Sequence, residues 1–155
     1  MRKVFYGFTV VLLISVLAQF YLSTFGAFER PVPAPGAEGA MIEYHVLNGE
    51  LVIPILSLLT TIVAAIARVG GRLIWLSITP FLLVAVQLFV IFSLAEMAGA
   101  AENETTTAGL VVLGFHALDG VAILWAAFVL LRRAHALAKG VAAATPATAR
   151  VTTGG

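Results

Sequence analysis

The chain contains no cysteine among its 155 residues. Without a thiol it cannot form disulfides, zinc–thiolate sites, iron–sulfur clusters or a cysteine nucleophile. Charged residues are also scarce: they make up 11% of the chain and hydrophobic residues 61%, whereas an average soluble domain has about 25% charged residues. The net charge of +1 does not indicate a nucleic-acid partner. This composition predicts a membrane protein whose main partner is the lipid bilayer.

Four apolar segments are long enough to cross a bilayer, which takes roughly 20 helical residues. They predict an all-α integral membrane four-helix bundle over residues 1–139, followed by a disordered cytoplasmic tail over residues 140–155. The first segment is longer than the core of a signal peptide, about 7–15 residues, and no clean cleavage site follows it, so we expect it to be retained as a helix. The predicted helices cover residues 4–26, 41–67, 73–95 and 108–131.

Basic residues are distributed unevenly between the two sides of this four-helix arrangement. Arg30 is the only one on the side of the two longer loops, and short loops rich in Lys and Arg mark the cytoplasmic side. The pattern predicts a multi-pass protein of the bacterial cytoplasmic membrane with both termini in the cytoplasm. The basic residues on the predicted cytoplasmic side are Arg2, Lys3, Arg68, Arg72, Arg132, Arg133, Lys139 and Arg150.

Two of the three histidines occur in related five-residue segments, HVLNG at residues 45–49 and HALDG at residues 116–120. We call these the two histidine segments. Each follows a helix that carries one glutamine, so that Gln19 and His45 in the first half match Gln87 and His116 in the second. Both halves cross the membrane in the same direction. The pattern predicts two parallel-repeat helical hairpins related by a pseudo-two-fold axis along the membrane normal.

Polar side chains inside a membrane are functional candidates because burying them is costly. His45 and His116 are expected in the outer half of the membrane, on helices that can face each other, and are the predicted metal ligands. Residues i and i+4 share a helix face. Glycines at that spacing leave room for a flat macrocycle or let helices approach closely. The other candidate cofactor-binding residues are Gly49 and Gly120 at that spacing, Asn48 and Asp119 as groups that fix an imidazole tautomer, and Gln19 and Gln87.

The available ligands favour haem b over other metal sites. Structural zinc takes four nitrogen or sulfur ligands, and Met1, Met41 and Met97 form no cluster that would suit copper. Haem needs only two axial ligands and an apolar slot. Other metals and a quinone remain open. A further alternative is that the histidines only form hydrogen bonds to Gln or Asp between helices.

A glutamine-bearing helix, a loop and a helix with a histidine, repeated once, resembles one half of haem A synthase over residues 4–131. The resemblance rests on Gln19, His45, Gln87 and His116. It implies a four-helix bundle with paired histidines on its second and fourth helices, holding haem b. Val46 and Ala117 follow the two histidines where that family has an arginine, which favours a haem-binding bundle over a complete synthase. The chain also resembles a small uncharacterised family of four-span bacterial membrane proteins.

Three functions are compatible with these features. The first is a haem b protein with bis-histidine ligation near the outer face, used in electron transfer or haem handling. The second is a cofactor-free accessory or structural subunit of a membrane complex, or a small transporter. The third is a haem A synthase-like enzyme acting as a dimer, with Glu43, Glu50 or Asp119 as its acid or base. A homodimer or larger complex is compatible with all three, and the sequence identifies no redox partner.

Overall fold

The computed structural model describes residues 1–34, 37–101 and 104–140. Four long helices fill most of these ranges: α1 (Arg2–Phe28), α2 (Ile42–Ile66), α3 (Gly71–Met97) and α4 (Thr107–Ala138). Within the described ranges there is no strand, only an isolated bridge between Ala100 and Thr105. All four helices are long and apolar enough to cross a membrane. The all-α, four-span prediction is therefore confirmed, while most of the predicted tail lies outside the described residues.

Local sequence sets the limits of α4. Thr106 caps its first turn, with the hydroxyl accepting a hydrogen bond of 3.0 Å from the Gly109 backbone N–H, as Thr often does at this position. The helix continues beyond the apolar segment, which ends at residue 131, to Ala138. The added residues, RRAHALA, are mostly good helix formers, and basic groups near a helix C-terminus are favourable.

The four helices form a ring in chain order. α1 packs against α2 and α4, and α3 packs against the same two helices. α2 and α4 therefore lie on a diagonal of the bundle. We call the end that holds the start of α1, the end of α4 and the turn between α2 and α3 the terminal end, and the opposite end the loop end.

Packing is tight at the terminal end and looser at the loop end. In α1 no residue after Val16 is buried, and in α2 no residue before Ile53 is buried. Toward the terminal end, small side chains such as Ala64 and Ala127 let the helices approach closely. The core there consists of Phe5, Leu12, Ala64, Leu73, Ile123, Ala127, Leu130 and Ala134. Space inside the bundle is therefore left in the loop half.

Near Pro80, the Ser57 side chain of α2 replaces a backbone hydrogen bond that α3 does not form. In a regular helix the Phe81 N–H would donate to the Ser77 carbonyl. Instead Phe81 N–H donates to the Ser57 hydroxyl over 3.2 Å, and that hydroxyl donates to the Ser77 carbonyl over 2.7 Å. Ser57 and Ser77 are both fully buried. The Ser57 side chain thus satisfies backbone groups that water cannot reach inside a bilayer.

Two widened π-helical turns lie in the loop half of the bundle. One covers Asn48–Val52 in α2, and the other covers Gln87–Ile91 in α3. Pro54 follows the first turn and has no N–H, so the regular bond to residue 50 cannot form there in any case. Such turns occur often at functional sites. Both begin at residues that the sequence had singled out as site candidates.

Candidate functional site

Most of the predicted site residues meet around one cavity of about 210 Å³ in the loop half. We call it the histidine cavity. Its floor toward the terminal end is apolar and includes Val16, Ile53, Val84 and Ile123. Six of the eight candidates line it: His45, His116, Gln19, Gln87, Gly49 and Gly120. The topology brings them together because both histidine segments lie on the diagonal helices α2 and α4, whose imidazole rings meet across the bundle.

The two imidazole rings lie close to each other across the bundle. The ring centroids of His45 and His116 are 6.2 Å apart, and the ring planes are inclined by 60°. A metal ion lies about 2 Å from an imidazole nitrogen, so two imidazoles on opposite sides of one ion have centroids roughly 6 Å apart. The observed separation matches that spacing.

His45 is held firmly by α1. Its Nδ1 lies 3.0 Å from the backbone carbonyl oxygen of Gln19, and its Nε2 lies 3.2 Å from the Gln19 side-chain Nε2. A carbonyl oxygen can only accept, so Nδ1 carries the proton. The lone pair is then on Nε2, where it accepts a hydrogen bond from the Gln19 amide. This geometry fixes both the tautomer and the ring orientation.

Asn48 supports this arrangement from one turn along α2. Its amide nitrogen donates to the Gln19 side-chain oxygen over 2.8 Å and to the Ser15 backbone carbonyl over 2.9 Å. Its amide oxygen accepts from the Ser15 hydroxyl over 2.8 Å. Asn48 therefore acts on His45 through Gln19 on the neighbouring helix and does not contact the ring directly. Every hydrogen bond in this network joins α1 to α2.

The two glycines have different surroundings. A Cβ atom at Gly49 would lie 2.6 Å from the Gln19 amide nitrogen, closer than real Cβ contacts allow. The space beside Gly49 is thus filled by the Gln19 side chain that reaches His45. A Cβ atom at Gly120 would be 3.7 Å from the Phe20 ring, an ordinary contact. The Phe20 ring therefore packs beside Gly120, and a methyl group fits there without displacing it.

The second half lacks the hydrogen bonds of the first. The structure gives no hydrogen bond to the side chain of His116, Gln87 or Asp119 from any residue in the described ranges. Nδ1 of His116 and Oδ2 of Asp119 are nonetheless buried. His116 instead stacks on Phe92, with the ring centroids 5.3 Å apart and the planes inclined by 27°. Asp119 does not line the histidine cavity.

The side chains available as metal ligands limit which metal or cofactor this site can bind. The described part of the chain contains no group of three or more His, Cys, Asp or Glu side chains arranged to hold a metal ion. Two imidazoles alone do not complete a four-coordinate zinc site. A haem iron needs only two ligands from the protein, because its other four belong to the macrocycle, and two imidazoles would satisfy that requirement. The residues present thus match haem better than a bare metal ion.

Sequence analysis missed two residues that shape the site. Ser15 lies one helical turn before Gln19, on the same face of α1, so its proximity to the glutamine was a usable signal. Phe92 stacks on His116, but α3 carries many aromatic and aliphatic residues. No pattern in the sequence distinguishes Phe92 from the side chains that face lipid.

Comparisons with known proteins match part of the chain to a family of unknown function and indicate no activity. Residues 19–95 match the model of DUF6220, a family of unknown function. The matched region begins at Gln19 and includes the first histidine segment and Gln87, but it ends before His116. No curated protein and no solved structure matches the chain significantly. The match agrees with the expected uncharacterised family, and none of the comparisons shows a likeness to haem A synthase.

Proposed function

We propose that this membrane protein binds one haem b between His45 and His116 and uses it for electron transfer or haem handling. The observation that carries the proposal is the separation of 6.2 Å between the two ring centroids across the histidine cavity. That separation fits two axial ligands of one iron, roughly 6 Å apart. The resemblance of Gln19, His45, Gln87 and His116 to the paired-histidine bundles of haem A synthase adds support.

Haem binding requires the histidine cavity to widen. A cavity of about 210 Å³ is smaller than the usual pocket for a drug-sized ligand, about 300–1,000 Å³. The Gln19 amide must also release Nε2 of His45 before iron can bind that atom. The loop half can widen beside α4, because the structure gives His116 and Asp119 no hydrogen bond from the described residues, while the bonds between α1 and α2 stay in place. The tightly packed terminal half keeps the bundle together while the loop half adjusts.

Ligation by two histidines favours one function of haem over others. A haem iron with both axial positions filled supplies one-electron transfer and has no free position for oxygen activation. The protein's contribution is to hold the two imidazoles in place and to surround the macrocycle with apolar side chains. With a haem held between these histidines, the protein would be able to pass electrons to a membrane or extracytoplasmic partner.

The orientation of the protein follows from its charges. In the described ranges Arg30 is the only Lys or Arg at the loop end, and cytoplasmic loops are enriched in these residues. We therefore place both termini in the cytoplasm of a bacterial cell, with the chain in the cytoplasmic membrane. The haem site then lies near the outer face.

A second candidate is a cofactor-free subunit of a membrane complex. The network of Ser15, Gln19, His45 and Asn48 favours it, because both ring nitrogens of His45 already have partners within the protein. In that case the first histidine segment fastens α1 to α2. His116 and Asp119, whose side chains have no hydrogen bond from the described residues, have no role in such a network, which is why we place haem binding first.

Haem titration of the detergent-purified chain tests the proposal. We expect saturation at one haem per chain, and loss of tight binding in His45→Ala. His135→Ala is the matched control, because His135 is exposed near the end of α4 and stacks on Tyr6 instead of lining the cavity. A folded wild-type chain that takes up no haem would favour the cofactor-free subunit.

A further inference from the structure

We infer that the two axial ligands are unequal: His45 is the fixed ligand, and His116 is the one that an external ligand displaces. The inference rests on the proposed haem site and specifies which side of the iron can open. The two halves have similar sequences but different hydrogen bonding around their histidines. The inference follows from that difference.

The fixed position of His45 comes from its hydrogen bond through Nδ1. A histidine that donates its other N–H to a carbonyl keeps its orientation and becomes a stronger ligand through Nε2. Here the acceptor is the backbone carbonyl of Gln19, 3.0 Å away. Because this acceptor belongs to the main chain, it remains in place when the Gln19 side chain moves aside for iron.

His116 has no corresponding support. The structure gives neither of its ring nitrogens a hydrogen-bond partner in the described ranges, and its Nδ1 is buried. Whichever nitrogen binds iron, the other has no described group to hold the ring. The contact that the structure shows for its ring face is the stacked Phe92 ring.

The sequence explains why the second half lacks the network. Gln87 occupies the place of Gln19, but Leu83 stands one turn before it, where Ser15 precedes Gln19 in the first half. Asp119 replaces Asn48 and has no amide N–H to donate. The hydroxyl and the amide that organise the first half are therefore both absent from the second.

The external ligand that suits this position is a small neutral molecule. The floor of the histidine cavity is formed by Val16, Ile53, Val84 and Ile123, and an apolar floor disfavours an anion. The exchange is a ligand substitution: the iron–nitrogen bond to His116 breaks, and the incoming molecule donates a lone pair to the same iron. No electron is transferred in this step.

Carbon monoxide is the probe for this exchange in dithionite-reduced protein with bound haem. We expect the wild type to bind carbon monoxide and His116→Ala to retain haem. We also expect the variant's association rate to rise by at least about tenfold, because the iron no longer has to wait for His116 to leave. The two carbon monoxide complexes should have the same Soret band and C–O stretching frequency, since His45 lies opposite the ligand in both.

The possible failures are distinguishable. If the wild type binds haem but not carbon monoxide, or if its complex differs from that of His116→Ala, the assignment of His116 as the exchangeable ligand is wrong while haem binding stands. If the wild type binds no haem, the proposed function itself fails. If the His116→Ala chain does not fold, failure of the haem-loaded wild type to bind carbon monoxide still overturns the inference.

Discussion

Nδ1 of His45 in α2 lies 3.0 Å from the backbone carbonyl oxygen of Gln19 in α1. His116 occupies the matching position in the second half, yet the structure gives it no hydrogen bond from the described residues. The two histidines are thus repeated in sequence and unequal in structure. The following predictions test this difference and the packing that surrounds it.

Replacing each glutamine should have a different effect on the apoprotein. Gln19→Ala removes the side-chain bonds to His45 and Asn48 but keeps the backbone carbonyl. We expect a loss of about 1 kcal/mol of stability, in the range of interhelical hydrogen bonds in membranes. Gln87→Ala, the matched control, should change stability little. Unfolding in detergent, followed by circular dichroism, measures both, and equal losses would contradict the asymmetry.

Ser15→Ala should destabilise the same hydrogen-bond network by removing its contact with Asn48. The Ser15 hydroxyl is the donor to the Asn48 side-chain oxygen, so its loss leaves that oxygen without this partner. We expect a destabilisation of about 0.6–1 kcal/mol. Ser23→Ala is the control, because the Ser23 hydroxyl bonds only to the Phe20 carbonyl within its own helix. If the two variants melt at the same temperature, the network does not contribute to stability.

The two repeat-related glycines should differ in their tolerance of alanine. A methyl group at Gly49 collides with the Gln19 amide, whereas one at Gly120 makes an ordinary contact with Phe20. Because alanine is the better helix former at both positions, we expect Gly120→Ala to raise the melting temperature, and Gly49→Ala to give a lower melting temperature than Gly120→Ala because its methyl group displaces the Gln19 amide from His45. The opposite order would show that Gln19 does not occupy the space beside Gly49.

Ser57→Ala tests whether the Ser57 side chain stabilises the backbone of α3 near Pro80. It leaves the Phe81 N–H and the Ser77 carbonyl without their described partner in the buried half of the bundle. An unsatisfied buried polar group costs about 1–3 kcal/mol, so we expect a clear loss of stability. Thr79→Ala is a suitable control because its hydroxyl bonds only to Trp75 within α3. If the Ser57→Ala chain is as stable as this control, the Ser57 side chain does not stabilise the backbone of α3.

The absence of native cysteine makes the orientation directly measurable. Ala101→Cys places one thiol at the loop end, and Lys139→Cys places one at the terminal end; both positions are exposed. A membrane-impermeant maleimide added to intact cells should label the first and not the second. Labelling of Lys139→Cys alone would reverse the proposed orientation.

Much of the architecture could be predicted because the length and composition of each apolar segment are enough to identify a membrane-spanning helix. Segment length identified four spans, and helical periodicity placed Gly49 on the same face as His45. The contacts across helices could not be predicted in the same way. Nothing in the sequence indicates that the Gln19 side chain fills the space beside Gly49 or that Phe92 covers His116. The difference between Ser15 and Leu83 was visible, but its effect depends on how closely α1 approaches α2.

The most direct test of the central claim is the electron paramagnetic resonance spectrum of the oxidised, haem-loaded protein, recorded alongside its absorption spectrum. Two imidazoles on one iron predict a low-spin ferric signal in the wild type and in His135→Ala, and a high-spin signal in His116→Ala. A high-spin wild-type spectrum, or a low-spin signal that survives in both His45→Ala and His116→Ala, would contradict ligation by this pair.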